Sequence, residues 1–321
     1  MPPMKLPLKA HLSDASPLVY GCMALGDDWG ATGFDEADIA QAHAAVEAAL
    51  DIGITLFDHA DIYRGGKAEA VFGELLKRDA TLRRRVRLQS KCGIRFGDGT
   101  LPGRYDLSAA HIEASAEAIL QRLGVEQLDI LLLHRPDALM EPEEIAHAFG
   151  RLQAAGKVRH LGVSNMHAAQ MAWLQRALPE PLVVNQIELS LAKLDAIDAG
   201  TTFNDGQATQ RPGSLAWAGT LEYAQQHGVQ LQAWSPLARG AFADPAASPA
   251  AAVVHEIAAA HGSTASAVQL AWLLRHPARI QPVLGTGNAE RIRACAGATR
   301  LLLSRDEWYR LYVAARGQAL P

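Results

Sequence analysis

The chain has 321 residues, 49% of them hydrophobic, and a formal charge of −4. That length serves one large domain or two ordinary ones, and the mild acidity gives no reason to expect a nucleic acid or an acidic membrane surface as partner. Cys22, Cys92 and Cys295 lie far apart, with neither metal-ligand spacing nor a disulfide framework, no signal peptide is evident, and no apolar run reaches membrane-spanning length. A soluble cytoplasmic protein without a bound metal is the expectation.

In chain order, the turn-rich residues 5–16 predict a small hairpin or cap. Residues 19–25 predict a strand, 36–52 a helix stopped by Gly53, and 54–57 an apolar strand running out into Asp58, His59, Asp61 and Tyr63. A helix at 68–77 and a strand at 86–91 follow, then an irregular glycine-rich loop at 93–106. Ser108 is placed to cap a helix over 108–123 that Gly124 ends. Next come a strand at 128–134, a helix at 142–155, a strand at 158–163, a helix at 167–178 and a strand at 182–186. The connection 188–213 is long enough to be functional or disordered. A helix at 214–227, a strand at 229–234, helices at 250–261 and 265–275, a strand at 279–284, and helices at 290–296 and 305–315 complete the chain.

The strands are short apolar runs, as expected when both faces of a parallel sheet are buried. Eight of them, nearly all separated by helices, predict a single (β/α)8 TIM barrel over 1–321, with an N-terminal hairpin-like cap and an extra C-terminal helix. A doubly wound sheet is the competitor, but the turn after 19–25 lacks the glycine pattern that such a fold carries.

In a barrel the chemistry lies at the C-terminal ends of the strands. Those ends carry Asp58 with Tyr63, then Lys91, His134, Ser164 with Asn165, Gln186, Trp234, and the run Gly285, Thr286, Gly287, Asn288. Each has an ordinary reading alone: a capping aspartate, a solvated lysine, a hydrogen-bonded histidine, a packed tryptophan. Their joint placement has a chemical use. A tyrosine is a poor acid near neutrality, a lysine cation beside it favours the phenolate, a carboxylate holds the lysine, and a histidine orients a substrate oxygen. Such a set can protonate a carbonyl oxygen.

These stretches resemble the aldo-keto reductase superfamily. The resemblance is carried by Asp58-His59-Ala60-Asp61-Ile62-Tyr63, Ser90-Lys91-Cys92-Gly93, the 129–137 run ending His134-Arg135-Pro136-Asp137, the 156–165 run ending Ser164-Asn165, and Trp234-Ser235-Pro236-Leu237-Ala238-Arg239-Gly240. It covers nearly the whole chain, and the first and third stretches are most similar to its bacterial YdhF-like branch. The resemblance implies an NAD(P)H-dependent oxidoreductase that reduces an aldehyde or ketone, with Tyr63 as general acid, Lys91 lowering its pKa, Asp58 pairing with Lys91, and His134 orienting the carbonyl. It implies a carboxamide contact at Ser164, Asn165 and Gln186, and a ring platform at Trp234. It further implies pyrophosphate contacts at Ser235, Leu237, Arg239 and Gly240, and an adenosine end at Gly285, Thr286, Gly287, Asn288 and Arg291.

One departure stands out. Many members carry a lysine in the loop after the last strand, and 285–288 has no cation. Arg291, with Arg293, is placed to meet a 2′-phosphate instead, so NADPH is expected and NADH is the alternative. The substrate mouth is expected from Asp27, Asp28, Trp29, the 95–105 loop, Arg135 and the 188–211 segment, and its charges permit a polar, sugar-like aldehyde. Two other readings differ in class: a non-catalytic nicotinamide-binding regulatory subunit of the same fold, against which all four acid-site positions are filled, and a different barrel enzyme, for which no metal cluster or carboxylate pair stands out.

Overall fold

Eight parallel strands close on themselves in the computed structural model, which describes residues 6–26, 29, 33–202 and 216–321. They are β1 (Val19–Gly21), β2 (Leu56–Asp58), β3 (Arg87–Cys92), β4 (Leu128–Leu133), β5 (Val158–Ser164), β6 (Val184–Glu188), β7 (Gln230–Trp234) and β8 (Gln281–Leu284). Each pairs with its chain neighbours, and β1 pairs with β8 to close the barrel. Parallel neighbours need a crossover, and the helices that supply it bury both faces of the sheet.

Helix ends follow their local chemistry. Asp35 and Asp38 form a capping box at the start of Glu36–Asp51, and Ser108 accepts from the His111 amide at the start of Ala109–Leu123. Gly124 ends that helix with φ at 65°, a left-handed turn that glycine adopts at no steric cost. The C-terminal helix Arg305–Arg316 is clamped to Ala265–Arg275 by Trp272 and Trp308. Their rings stack with centres 5.2 Å apart, and each indole N–H donates to the other residue's carbonyl, at 3.2 and 3.0 Å.

The N-terminal cap differs from the hairpin expected. Among the described residues it is a single 3-10 turn, Pro7–Ala10, with Pro7 presetting a helical φ. Leu8, Leu12 and Ala15 join Val19, Leu56 and Ile130 in one apolar cluster that plugs the barrel. β1 is shorter than 19–25 because its ladder to β2 ends at Gly21, after which Cys22–Ala24 coils into a 3-10 turn. The irregular 93–106 loop contains a two-stranded antiparallel ribbon, Ile94–Arg95 against Arg104–Tyr105. The long connection after β6 contains a helix, Asp195–Thr201, pinned by a 2.5 Å bond from the Tyr312 hydroxyl to Asp198. Of the helix expected over 214–227, residues 214 and 215 lie outside the described residues and Thr220–His227 is helical, and the helix expected over 290–296 ends at Arg293. Asp27, Asp28 and the 203–211 part of the expected substrate mouth lie outside the described residues. Among the described residues no helix is long and apolar enough to cross a membrane.

Helix Lys67–Arg78 reaches its neighbour through Gly73, where an added Cβ would lie 2.3 Å from the Arg122 carbonyl oxygen. Backbone cannot yield as a flexible side chain does. Gly73→Ala is therefore expected to cost about 1–3 kcal/mol, read as a lower urea midpoint with an unchanged slope. An unchanged midpoint would show that the two helices part without cost.

Candidate active site

Lys91 and Asp58 are inward residues on adjacent strands, and neither is in contact with solvent. The Lys91 ammonium has three N–H donors and three oxygen acceptors around it: Asp58 Oδ2 at 2.7 Å, the His59 carbonyl at 2.9 Å and the Tyr63 hydroxyl at 3.0 Å. The second carboxylate oxygen of Asp58 accepts from Gln89 Nε2 at 2.6 Å. Tyr63 reaches this point because the chain leaves β2 through a turn in which Tyr63 N donates to the Ala60 carbonyl and Arg64 takes a left-handed φ of 54°.

Because the Tyr63 oxygen accepts from Lys91, its own proton is directed elsewhere. Burial raises the Tyr63 pKa, Lys91 opposes that, and the net direction is upward. The lowered pKa expected from lysine proximity alone is thus not the outcome: desolvation of the phenolate outweighs the cation, and Tyr63 rests as a neutral phenol. For Lys91, burial pushes down, but Asp58 and Tyr63 outweigh it and hold the ammonium above its ordinary range.

His134 follows β4, and its backbone N–H donates to the Cys92 carbonyl at 2.8 Å. Its ring stands edge-on to Tyr63, with centres 6.1 Å apart. Burial, then Lys91 and Arg135, push its pKa well below the usual histidine range, so the imidazole is neutral. Its Nδ1 is buried without a partner among the described residues. The four residues expected at the acid centre are therefore together.

A second wall adjoins them. Asn165 Nδ2 donates to the His134 carbonyl at 3.2 Å and to Ser164 Oγ at 2.7 Å, while Ser164 Oγ donates to the Gln186 carbonyl at 2.8 Å. The Trp234 indole N–H donates to Asn165 Oδ1 at 3.1 Å. Asn165, Ser235, Ala238 and Arg239 all hold positive φ, between 48 and 58°, in non-glycine residues. Such backbone is costly and clusters at ligand clamps. Amide and hydroxyl groups beside a half-buried indole suit a flat aromatic ring bearing a carboxamide, so the donor set fits a nicotinamide.

Beyond this wall, Leu237 is half-buried and Arg239 and Gly240 are exposed. The last loop presents Gly285, Thr286, Gly287 and Asn288, with Asn288 capping Ala289–Arg293 through the Arg291 N–H. Arg291 is exposed, and Arg293, also exposed, pairs with Asp51 at 2.9 Å. Trp29 is half exposed under the Arg64 guanidinium, 5.4 Å from its ring centre. Arg135 lies 5.9 Å from the ring centre of Trp234, which brings the expected substrate residue against the expected platform.

A family model described as "Aldo/keto reductase family" matches residues 17–314. The chain belongs to the aldo/keto reductase family. It is 41% identical over 311 residues to a 6-dehydroglucose reductase of Agrobacterium fabrum, covering 95% of this chain and 96% of that one. It is 40% identical over 283 residues to oxidoreductase YdhF of Escherichia coli, covering 86% and 88%. Among solved structures it is similar to an aldo/keto reductase from Klebsiella pneumoniae in complex with NADP and acetate, with a TM-score of 0.70, 26% identity, and coverage of 92% and 90%. The chain is accordingly an oxidoreductase of the aldo/keto reductase type.

His59 and Asp61, equally eligible by residue type, face outward. His59 packs edge-on against Phe72, 4.7 Å between centres, and burial followed by Lys91 pushes its pKa to about 3. Asp61 sits near Glu69, itself bonded to Ser90 Oγ at 2.6 Å and to Arg122 Nε at 2.8 Å. Burial first, and Glu69 second, raise the Asp61 pKa to about 7. Gln89, Gln232 and Gln281 also belong to this site's surroundings, without a motif to mark them. Their signal was a polar residue two places before Lys91, Trp234 and Val283, on the same inward face of an apolar run.

Asp61 binds its proton more tightly in the folded chain, near pH 7, than unfolded, near pH 4. Between those values the folded state holds the extra proton, so its contribution is complete at low pH and is lost as pH rises to about 7. Asp61→Asn removes that loss. Its urea midpoint relative to the parent should therefore rise between pH 4.5 and pH 8, and a constant difference would mean that Asp61 does not titrate in this window.

Proposed function

We propose that this aldo/keto reductase reduces a polar, sugar-derived aldehyde or ketone to the alcohol, using NADPH and Tyr63 as its general acid. The observation that carries the reading is the 3.0 Å bond from the Lys91 ammonium to the Tyr63 hydroxyl, backed by Asp58. When bound, the reduced nicotinamide supplies the hydride. Ser164, Asn165 and Gln186 hold its carboxamide edge, and Trp234 supports the ring. Ser235, Leu237, Arg239 and Gly240 line the pyrophosphate. Gly285, Thr286, Gly287, Asn288 and Arg291 meet the adenosine end.

The protein's own part is proton delivery. Neutral His134 donates one N–H to the carbonyl oxygen and fixes its direction. As negative charge gathers on that oxygen, Tyr63 releases the proton that Lys91 leaves pointing outward. The resulting phenolate faces an ammonium already in contact, so no charge has to move to meet it. Burial that raises the Tyr63 pKa suits this role, because the resting group must be protonated and the cation acts once charge develops.

Substrate class rests on the 41% identity to the 6-dehydroglucose reductase and on the polar surroundings of the acid centre, where Arg64, Trp29 and Arg135 adjoin. NADPH is favoured by Arg291, the exposed cation nearest the last loop.

Tyr63→Phe should lower kcat by about 10²–10⁴-fold while leaving NADPH affinity, read by cofactor fluorescence, nearly unchanged. Lys91→Met should be comparably severe; full turnover by either variant would remove the proton-delivery assignment. With the parent protein, NADPH oxidation followed against 6-dehydroglucose and an apolar aldehyde of similar size should give at least about tenfold higher kcat/KM for the sugar. Equal values would sink the substrate class, and NADH binding about tenfold tighter than NADPH would sink the cofactor assignment.

A further inference from the structure

Five strand glutamines are buried in the barrel, where such barrels usually stack branched aliphatics: Gln230, which bonds to Leu8 and Arg279, and a connected set of four, Gln89 on β3, Gln186 on β6, Gln232 on β7 and Gln281 on β8. Cross-strand register sets Gln89 opposite Asp58, and sets Gln232 between Gln186 on one side and Gln281 on the other. An amide buried without partners costs about 1–3 kcal/mol, so four of them persist only as a satisfied set.

The bonding is directional, and its direction starts at Asp58. A carboxylate only accepts, so Gln89 must present Nε2 to Asp58 Oδ1, at 2.6 Å. Gln89 and Gln232 then form a reciprocal amide pair: Gln89 Nε2 donates to Gln232 Oε1 at 2.8 Å, and Gln232 Nε2 donates to Gln89 Oε1 at 3.2 Å. The second N–H of Gln232 goes to Gln281 Oε1 at 3.0 Å, and the chain is anchored where Gln281 Nε2 donates to the Ser16 carbonyl at 2.6 Å. Gln232 Oε1 also accepts from Gln186 Nε2 at 3.0 Å. Every amide is thereby locked against a flip. The orientation of Gln186, on the cofactor wall, is dictated through two glutamines by the charge of Asp58 at the acid centre.

We infer that Gln89 and Gln232 are positioning residues that couple the two halves of the site, holding the Asp58 carboxylate under Lys91 and the Gln186 amide toward the nicotinamide. Neither touches the reacting atoms. This rests on the cofactor and acid assignments proposed above. Its consequence is that this amide pair bears on two distant properties, cofactor affinity through Gln232 and the proton equilibrium of the acid through Gln89. Cofactor affinity falls because Gln186 loses its fixed direction. Loss of Gln89 shifts the alkaline limb of the pH profile, because an Asp58 deprived of that donor holds Lys91 more closely and leaves Tyr63 less cation to face, which raises the Tyr63 pKa.

The test is Gln232→Met, close in volume, in the full-length protein, with Gln89→Met as the second variant should the first fail to fold. NADPH Kd is measured by fluorescence titration without carbonyl substrate. The alkaline limb of the kcat/KM profile is measured alongside it. Positioning predicts a roughly three- to tenfold weaker Kd for Gln232→Met, from about one hydrogen bond's net worth, and a limb displaced upward for Gln89→Met. A merely structural role would lower the urea midpoint and leave both readouts at parental values, and that result overturns the inference. Gln186→Ala is the control. If it does not weaken NADPH binding, the cofactor assignment itself fails. If it weakens binding while folded Gln232→Met and Gln89→Met do not, only the coupling fails.

Discussion

The ammonium of Lys91 and the carboxylate of Asp58 face each other at 2.7 Å, shut away from water. Taking two such charges out of solvent costs several kcal/mol per ion, and their attraction repays that only when the remaining protons and lone pairs are also satisfied. Here they are. Lys91 places one N–H on Asp58, one on a backbone carbonyl and one on Tyr63, and Asp58 receives a second donor from Gln89. The third lysine contact aims the tyrosine, and the second aspartate contact starts the chain of amides across the barrel. Losing one charged partner would leave the other buried and uncompensated, so the geometry of the acid is tied to the integrity of the fold.

The interior is therefore divided along its axis. The Pro7–Ala10 turn and the apolar residues around Leu8 and Leu12 seal one end as a dry plug. The glutamine layer lies between that plug and the strand exits, and Ser16 joins the two, accepting from Gln281 and linked by its own side chain to Leu18 and Thr55. A flexible apolar packing at this level would leave Asp58 with an unsatisfied oxygen. The amides remove that freedom, because each has one orientation compatible with its neighbours.

Strand β3 carries two separate buried charge systems on its two faces. Lys91 points inward to Asp58 and Tyr63, and the preceding Ser90 points outward to Glu69. The alternation of side chains across a strand makes this possible, and Asp58 and Asp61, three residues apart, differ in role because β2 ends at Asp58 and Asp61 lies in the turn beyond it. The first belongs to the barrel interior. The second lies among Glu69 and Arg122, where burial raises its pKa to about 7.

Much of this was legible in the residues alone. Short apolar runs alternating with capped helical stretches specify a parallel barrel, and a parallel barrel brings successive strand exits to one rim, so Asp58, Tyr63, Lys91 and His134 are readable as neighbours from the sequence. Local patterns failed where a segment's form depends on what it packs against: the plug at Pro7–Ala10 and the helix Asp195–Thr201, pinned from the far end of the chain by Tyr312. Two features belonged to the tertiary structure alone. Gln89 and Gln232 meet across 143 residues of chain, a pairing set by barrel closure and register rather than by any motif. The direction of the Tyr63 proton equilibrium also depends on closure. Sequence places a lysine beside the phenol, but only the packed interior decides how much water is taken from it, and here that desolvation outweighs the cation.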